Sequence, residues 1–525
     1  YARSNGKVGV CLVTSGPGLT NIITGINCCW VDSIPLFVLA GQVVESQKLI
    51  HLSQRPRQRG VQESDTEGLI KAIVKSYSSI NNPSEFPQIL ERLWADASTD
   101  RCGPVVLELP VDISYKKIYQ SNLEINKVKL YSSHKNSNVN LEPLISSILA
   151  AKQPVFIIGN GIRSSSISII ENFISFLKSK NFPYLSTWGS KDLIEKLEPN
   201  NFYFGSPGIF GSRKANSLLY FSDCLISIGC SLGFTHTGYR VSNLNPSSLH
   251  IIDIDSSQFC KPEFKESKKY QIKAEQCVMQ IMEKLKDLDI SYKNSFKKFT
   301  KLFSYYDEID KQSSKSSVYI SLINCLNKFL SYSSDPKSYI FCTDMGTSFT
   351  ATHSFLKCSG SQLFTAAGHA PMGWGLPGSI GAAFGSPKKT VICLTGDGGL
   401  LMDIQELMHL SHYNLNIKLI LINNGGYATI MNTTNRYHNK CVASAPSNGV
   451  VNPNFQKIAE AYSLPFCLLS NLEDISSLIS KPGPMMIEIK TKPFEYIGPK
   501  LMQSSDGMNE LLNMFPFLES SVLKD

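Results

Sequence analysis

The chain has 525 residues, more than one hydrophobic core usually organises, which suggests about three domains. Its apolar content of 42% and charged content of 18% are ordinary for a globular protein, and its formal net charge of +8 comes from scattered basic residues without a long basic run. We therefore expect no nucleic-acid-binding surface. We expect no membrane span either, because no stretch reaches the ~18 consecutive apolar residues of a transmembrane helix.

The cysteines indicate the redox environment. There are 14 of them, spread along the sequence without a CxxC pair. Cys11, Cys224, Cys342 and Cys393 lie within apolar, strand-like runs. This distribution favours buried free thiols in a reducing cytosol over a disulfide framework or a zinc site. We therefore expect a cytoplasmic location.

Short β-branched runs alternate with longer helical patterns along the whole chain, which is typical of parallel α/β layers. Polar stretches near 121–141 and 291–317 separate three such blocks. The predicted fold class is α/β, with three doubly wound parallel-sheet domains at 1–120, 140–295 and 315–510. The predicted strands are 8–13, 35–40, 103–110, 154–161, 223–229, 250–255, 338–342, 390–395 and 417–422.

The third block carries the strongest chemical signal. The strand 390–395 runs into Gly396-Asp397-Gly398-Gly399, and a helical pattern follows that includes Met402 and Leu407. The next strand, 417–422, ends at Asn423-Asn424-Gly425-Gly426. Neighbouring parallel strands end at the same carboxyl edge of a sheet, where α/β proteins bind ligands. We therefore expect Asp397 and Asn424 to lie together.

The residue types at this edge indicate a phosphate and a cation. Glycines after Asp397 allow the backbone to approach a diphosphate, and the start of the following helix supplies N–H donors. A carboxylate, an amide oxygen and a backbone carbonyl suit Mg²⁺, a hard ion that shares its shell with phosphate oxygens. Each motif alone is more often an ordinary turn, but the two motifs together, each after a strand, are specific.

The segment from Gly396 to Asn424 resembles the thiamine diphosphate (ThDP) binding motif of the acetolactate synthase and pyruvate decarboxylase superfamily. The resemblance covers essentially the whole chain and implies a pyrimidine-binding, a central Rossmann-like and a diphosphate-binding domain. It implies that Asp397, the side chain of Asn424 and the backbone carbonyl of Gly426 bind Mg²⁺. The other cofactor-binding residues that it implies in this domain are Gly346, Thr347, Ser348, Gly396, Gly398, Gly399 and Tyr427.

The segment from Gly368 to Gly378 resembles the family loop that supports the cofactor. The resemblance implies that Met372 wedges beneath ThDP and folds it into a V, and that the carbonyl of Ala370 holds the pyrimidine amine. His369 is then a candidate proton donor to substrate, with a structural histidine as the alternative. Without the neighbouring motifs, Met372 would be interpreted as a core methionine.

The first block resembles the family's pyrimidine-side domain from Gly9 to Asn21, with Thr14-Ser15-Gly16-Pro17-Gly18 as its turn. In relatives the glutamine corresponding to Gln62 faces the reacting carbon; the alternative is a surface loop.

Relatives also carry an activating glutamate about ten residues before a segment like Tyr1-Ala2-Arg3. No glutamate here takes its place, so we expect an N-terminally shortened sequence that by itself forms little product.

The resemblance implies a ThDP-dependent transferase or lyase. Such an enzyme decarboxylates pyruvate or a related 2-oxo acid and joins the remaining fragment to an acceptor. It also implies a homodimer or homotetramer with active sites between subunits. The acceptor stays open, because the residues from Gly426 to Arg436 lack the GMV…QW pattern of acetolactate synthases. FAD is left open but not favoured, because Cys230-Ser231-Leu232-Gly233 replaces the Arg-Phe-Asp-Asp run that helps those enzymes hold it.

Two alternatives to an acetolactate-forming carboligase remain. One is a ThDP-dependent decarboxylase or carboligase with another acceptor, such as a keto-sugar nucleotide. The other is a non-catalytic ThDP-binding homologue, for which the missing glutamate is the only support.

Overall fold

The computed structural model describes residues 1–49, 53–54, 56–57, 59–118, 139–195, 202–239, 241, 244, 248–288, 299–313, 317–495, 497–501 and 511–518. The chain divides into two compact units. The first comprises Tyr1–Ser137, Ala366–Pro371 and Phe384–Ser386, and the second comprises Asn138–Thr365, Met372–Ala383 and Pro387–Asp525. The predicted linker at 121–141 falls mostly outside the described residues.

The first unit is built on one parallel sheet. Its strands are β1 (Gly9–Val13), β2 (Leu36–Gln42), β3 (Ser76–Ser79) and β4 (Pro104–Pro110), in the order β1-β2-β4-β3. Its helices are α1 (Ala2–Asn5), α2 (Pro17–Asn21), α3 (Ile23–Val31), α4 (Thr66–Ile70), α5 (Phe86–Ser98) and α6 (Val111–Ser114). Val38 and Val106 belong to one apolar cluster, and Phe37 and Val105 belong to another. Because alternate residues of a strand point to opposite faces, the sheet has a core on both sides.

The second unit begins with a five-stranded parallel sheet. Its strands are β5 (Pro154–Ile158), β6 (Tyr184–Ser186), β7 (Cys224–Ile228), β8 (Leu249–Asp253) and β9 (Lys268–Gln271), in the order β6-β5-β7-β8-β9. The helices along this part of the chain are α7 (Glu142–Ala150), α8 (Ile167–Ser179), α9 (Lys191–Ile194), α10 (Arg213–Phe221), α11 (Ala274–Leu285) and α12 (Thr300–Ser313). The residues of β5 and β7 are buried throughout, as expected for central parallel strands.

The third sheet, also in the second unit, has six parallel strands. They are β10 (Tyr339–Thr343), β11 (Gln362–Phe364), β12 (Thr390–Gly396), β13 (Ile417–Asn423), β14 (Phe466–Leu468) and β15 (Met485–Lys490), in the order β11-β10-β12-β13-β15-β14. The helices in this stretch of chain are α13 (Val318–Tyr332), α14 (Thr347–Phe355), α15 (Gly375–Gly385), α16 (Asp397–Leu400), α17 (Leu407–His412), α18 (Ala428–His438), α19 (Phe455–Ala461) and α20 (Ile475–Ile479). The predicted α/β class with three parallel sheets is thereby confirmed.

Two local expectations need correction. The helical pattern after Asp397 is not one helix, because α16 stops at Leu400 in a tight turn where the amide of Met402 bonds the carbonyl of Gly399 at 3.1 Å. This break sets Met402 and Asp403 against Gly373. The polar stretch 291–317 contains α12, whose aromatic residues turn inward: Tyr306 is 1% exposed. Because this stretch is mainly polar, its sequence did not indicate an amphipathic helix.

All 14 cysteines lie in the described part of the chain, and all are free thiols. Among the helices of the described segments, none combines the length and apolarity that crossing a bilayer requires.

A buried arginine joins three parts of the second unit. Arg213, at the start of α10, is 1% exposed. Its guanidinium donates to Asp310 Oδ1 on α12 at 2.8 Å, and to the carbonyl oxygens of Met514 and Pro516 at 2.9 and 2.8 Å. A buried guanidinium is tolerated only when its donors are paired in this way. The contact therefore fastens α12 and the segment 511–518 onto the central sheet.

We expect Arg213→Ala to lower the free energy of unfolding by about 3–5 kcal/mol, because it removes the buried donors to Asp310 and to the carbonyl oxygens of Met514 and Pro516. The matched control is Lys214→Ala, which removes a surface ion pair with Asp307 at 2.7 Å. That change should cost less than about 1 kcal/mol. The midpoint of urea unfolding, followed by circular dichroism, measures both. Equal midpoints for the two variants would show that the buried Arg213 contacts add no more stability than a surface ion pair.

Candidate active site

The carboxyl ends of β12 and β13 form the centre of the candidate site. The two strands pair in parallel, with Gly396 opposite Ile422. Asp397 follows the first strand, and Asn423 ends the second. The side-chain amide nitrogen of Asn452 lies within hydrogen-bonding distance of both Asp397 Oδ2 and Asn423 Oδ1. The predicted convergence of these two strand ends is therefore present.

Asp397 is a buried carboxylate, 1% exposed. Burial raises its pKa, and hydrogen bonds from Asn452 and from the backbone N–H groups of Gly398, Gly425 and Gly426 partly offset that rise. The N–H of Gly398 lies 3.0 Å from Oδ1. Among the described residues, none of the donors to this carboxylate is a basic side chain. A buried anion held only by neutral donors is an environment that a cation would stabilise.

Asn424 is fixed by two contacts. Its amide nitrogen donates to the hydroxyl of Tyr319 at 3.0 Å, and its amide oxygen accepts the N–H of Gly426 at 3.2 Å. Tyr319 is buried on α13 and also bonds Thr347, so its hydroxyl connects the loop after β13 with the start of α14. Gly426 has a φ of 157°, and a Cβ there would meet the carbonyl oxygen of Ser444 at 2.3 Å. Only glycine permits this loop path.

Asp344, which follows β10, ties three loops together. It is 1% exposed, and its oxygens accept the N–H of Met345 at 2.8 Å, the N–H of Gly373 at 3.0 Å and the hydroxyl of Thr395 at 2.9 Å. Burial raises the pKa of this carboxyl group, and these donors oppose the rise. A Cβ on Gly399 would lie 2.1 Å from Asp344 Oδ2. Asp344 thus holds the Gly373 loop beside the turn after β12.

Several glycine backbones at this edge face open space. A Cβ on Gly396 or on Gly425 would meet nothing within 4 Å, and one on Gly346 would meet only Thr429 Oγ1 at 3.6 Å. Gly346 has a φ of 102° and immediately precedes the nine-residue helix α14, which begins with Thr347 and Ser348. Backbone amides at a helix start and in a glycine turn are suited to phosphate oxygens.

Met372 and Tyr427 both lie beside Gly398. A Cβ on Gly398 would come 2.5 Å from the Tyr427 ring and 3.5 Å from Met372 Cε. Met372 is 40% exposed, so it is not a core residue of this unit. Its position beside the glycine turn suits an apolar support for a bound ring.

The remaining candidates belong to the first unit. His369 is exposed, and its ring Nδ1 lies 3.0 Å from the side-chain nitrogen of Asn27 on α3. Ala370 has a φ of 60°, which is unusual for a residue with a side chain. Gln62 is exposed with a φ of 61°, and its carbonyl oxygen would lie 2.5 Å from a Cβ on Gly16. The roles of Gln62, His369 and Ala370 stay predictions.

Sequence reasoning missed two side chains at this edge. Asn452 comes from the loop before α19, and Tyr319 comes from α13, before the first strand of the sheet. Neither has a motif or a spacing relative to Asp397 that would indicate its position. An Asn-Pro pair, Asn452-Pro453, is the only local signal, and it indicates just a turn.

The donor set fits a hard cation with a diphosphate better than a soft metal. Within the described segments, no group of three His, Cys, Asp or Glu side chains could hold a metal ion. The site instead offers carboxylate, amide and carbonyl oxygens beside open glycine backbones, which is the chemistry that Mg²⁺ shares with phosphate.

Comparison with known proteins agrees with this chemistry. Residues 1–68 match the domain described as "Thiamine pyrophosphate enzyme, N-terminal TPP binding domain". Residues 141–278 match the central domain of the same enzymes, and residues 344–489 match their C-terminal TPP binding domain. These descriptions name thiamine pyrophosphate, the same compound as ThDP, and do not name FAD.

Curated relatives match along nearly the whole chain. The acetolactate synthase large subunit of Lactococcus lactis subsp. lactis is 30% identical over 520 residues, covering 95% of this chain and 84% of the relative. The chain belongs to the thiamine pyrophosphate enzyme family. Other members of the family that resemble it are the acetolactate synthase large subunits of Porphyra purpurea, 28% identical with 95% and 83% covered, and of Buchnera aphidicola subsp. Schizaphis graminum, 29% identical with 97% and 88% covered.

Two glycines of the turn after β12 provide a test of this geometry. Gly399→Ala should lower the free energy of unfolding by about 1–3 kcal/mol, because its Cβ would displace the fixed carboxylate of Asp344. Gly396→Ala adds the same group into open space at an ordinary φ of −89°, and should change stability by less than about 1 kcal/mol. Thermal unfolding without cofactor measures both. An unchanged melting temperature for Gly399→Ala would contradict the described packing.

Proposed function

We propose that this protein is a ThDP- and Mg²⁺-dependent carboligase of the acetolactate synthase type, acting on pyruvate or a related 2-oxo acid. The observation that carries the proposal is the buried Asp397 at one edge of a parallel sheet. Its carboxylate accepts hydrogen bonds from the loop that contains Asn424 and Gly426, and none of its described donors is a basic side chain. Family membership over 95% of the chain supports it.

The cation is held in this proposal by Asp397, the side chain of Asn424 and the backbone carbonyl of Gly426. Tyr319 assists by orienting the Asn424 amide, because its hydroxyl accepts the amide N–H. The amide oxygen accepts the N–H of Gly426 and keeps a second lone pair for the cation. Contacts to the diphosphate come from the glycine turns and the start of α14. The residues assigned to these contacts are Gly346, Thr347, Ser348, Gly396, Gly398, Gly399 and Tyr427.

When bound, ThDP supplies an electron sink for the electron pair that remains when a 2-oxo acid loses CO₂. The protein's own residues hold and shield the reacting groups. Met372 supports the cofactor from below, and the carbonyl of Ala370 accepts a hydrogen bond from its amine. Gln62 faces the reacting carbon, and His369 donates a proton to substrate. The strained φ of Ala370, 60°, supports a positioned carbonyl, since such conformations are concentrated at functional sites.

Assembly and location complete the proposal. We propose a homodimer or homotetramer with active sites between subunits, as the family resemblance implies, and a cytoplasmic location, which the free cysteines support. The domains are proposed to span 1–120, 140–295 and 315–510, and the three matched family segments lie within these bounds.

A second candidate differs only in the acceptor. Helix α18 follows the Asn424 loop with Thr429, Ile430 and Thr433 exposed, in a sequence unlike the GMV…QW pattern of acetolactate synthases. This difference supports an enzyme that decarboxylates a 2-oxo acid but transfers the fragment to another acceptor, such as a keto-sugar nucleotide.

The proposal predicts that full-length protein with ThDP, Mg²⁺ and pyruvate releases CO₂ and forms acetolactate. Asp397→Asn keeps the side-chain shape but removes the charge, and should reduce the rate by more than about 100-fold, since even residues outside a metal's ligand shell contribute roughly 10–100-fold. Asp335→Ala removes an exposed carboxylate from the same domain and should leave the rate unchanged.

Each product pattern has one interpretation. CO₂ release without acetolactate favours the second candidate. ThDP binding without CO₂ release from any 2-oxo acid favours a non-catalytic homologue. Equal rates for Asp397→Asn and the parent protein would refute the cation site.

A further inference from the structure

The side chain of Asn452 makes an unusual set of contacts at the cation site. It lies in the loop before α19, and its amide nitrogen donates to Asp397 Oδ2 and, at 3.3 Å, to Asn423 Oδ1. It thus connects the turn after β12 with the end of β13. Of the side chains described here, it alone is recorded as donating to the Asp397 carboxylate.

The orientation of this amide follows from its neighbours. An ionised Asp397 can only accept hydrogen bonds. Asn423 also presents its oxygen, because its own amide nitrogen donates to Glu488 at 2.7 Å and its oxygen accepts the N–H of Gly425 at 3.1 Å. With acceptors on both contacts, Asn452 must direct its nitrogen toward them, and the flipped amide is excluded.

The amide oxygen of Asn452 consequently takes part in neither of these hydrogen bonds. It is buried and has no hydrogen-bond partner among the described residues. Buried polar atoms in folded proteins are nearly always paired, so an orphaned acceptor beside a candidate ligand site indicates a donor that binds there. Asp397 is on one side of the amide, so the donor would be close to the cation that Asp397 is proposed to hold.

We propose that Asn452 is a positioning residue of the cation site. Its nitrogen fixes the carboxylate of Asp397 for the cation, and its oxygen accepts a hydrogen bond from a water molecule in the cation's shell. Mg²⁺ retains several waters when it binds phosphates, so such a donor is available. Residues that orient a ligand in this way commonly raise metal affinity. This inference rests on the proposed function.

The test measures Mn²⁺ binding to the protein with saturating ThDP, using the electron paramagnetic resonance signal of free Mn²⁺. Asn452→Ala should weaken Mn²⁺ binding by roughly tenfold, the typical effect of losing a residue that orients a metal ligand. Thermal unfolding without ThDP and cation gives the separate structural readout.

Asn454→Ala is the matched control. Asn454 lies two residues further on, and its side chain caps α19 by accepting the N–H of Lys457 at 3.1 Å. Its loss should lower the melting temperature of the cofactor-free protein, because an N-cap stabilises its helix, while Mn²⁺ affinity stays unchanged.

The outcomes separate this inference from the function on which it rests. If the parent protein shows no ThDP-dependent Mn²⁺ binding, the proposed function fails before any variant is compared. If the parent binds and Asn452→Ala binds equally well, the inference alone is overturned. An equal loss of affinity in Asn454→Ala also overturns it, because the effect would then come from loosening the loop.

Discussion

Two buried carboxylates at the ends of adjacent strands constrain the whole candidate site. Asp344 follows β10 and Asp397 follows β12, and each is 1% exposed. Burial raises the pKa of both, so each charge must be stabilised by donors that the surrounding loops supply. The loops are consequently shaped around these two groups, and several positions admit only glycine.

The two carboxylates have different neighbours, which separates their roles. Asp344 accepts hydrogen bonds from the loop at Gly373 and from Thr395, and these contacts give it a structural function as the junction of three loops. Asp397 is held by backbone amides and the Asn452 amide. It also lies against the loop after β13, beside glycines Gly396 and Gly425 that face open space, so it is the carboxylate at this edge better placed to bind a cation.

The three parallel sheets and the centre of the candidate site could be predicted from the sequence. Parallel pairing of β12 with β13 follows from two β-branched runs that each end in a glycine turn, and it brings Asp397 near Asn424 without further information. The division into three parallel sheets followed from the same alternation. Local patterns of this kind span a few residues, and they determine where a strand ends.

Other features depend on contacts between residues far apart in the chain. Tyr319 and Asn452 reach the site from 105 residues before Asn424 and 55 residues after Asp397, and no spacing rule indicates either. The break between α16 and α17 places Met402 and Asp403 against Gly373, a contact between distant residues that a helical pattern cannot reveal. Helix α12 was not evident from its polar composition, because its inward face depends on the buried Tyr306 and the partly buried Phe303.

The central claim is that the strand edge at Asp397 holds ThDP through a divalent cation. Isothermal titration of ThDP into the protein, in Mg²⁺ and then in excess chelator, tests it most directly. The account predicts saturable binding with one ThDP per chain in Mg²⁺, and loss of most of that affinity in chelator. Equal affinity in both buffers, or no binding in either, would contradict it.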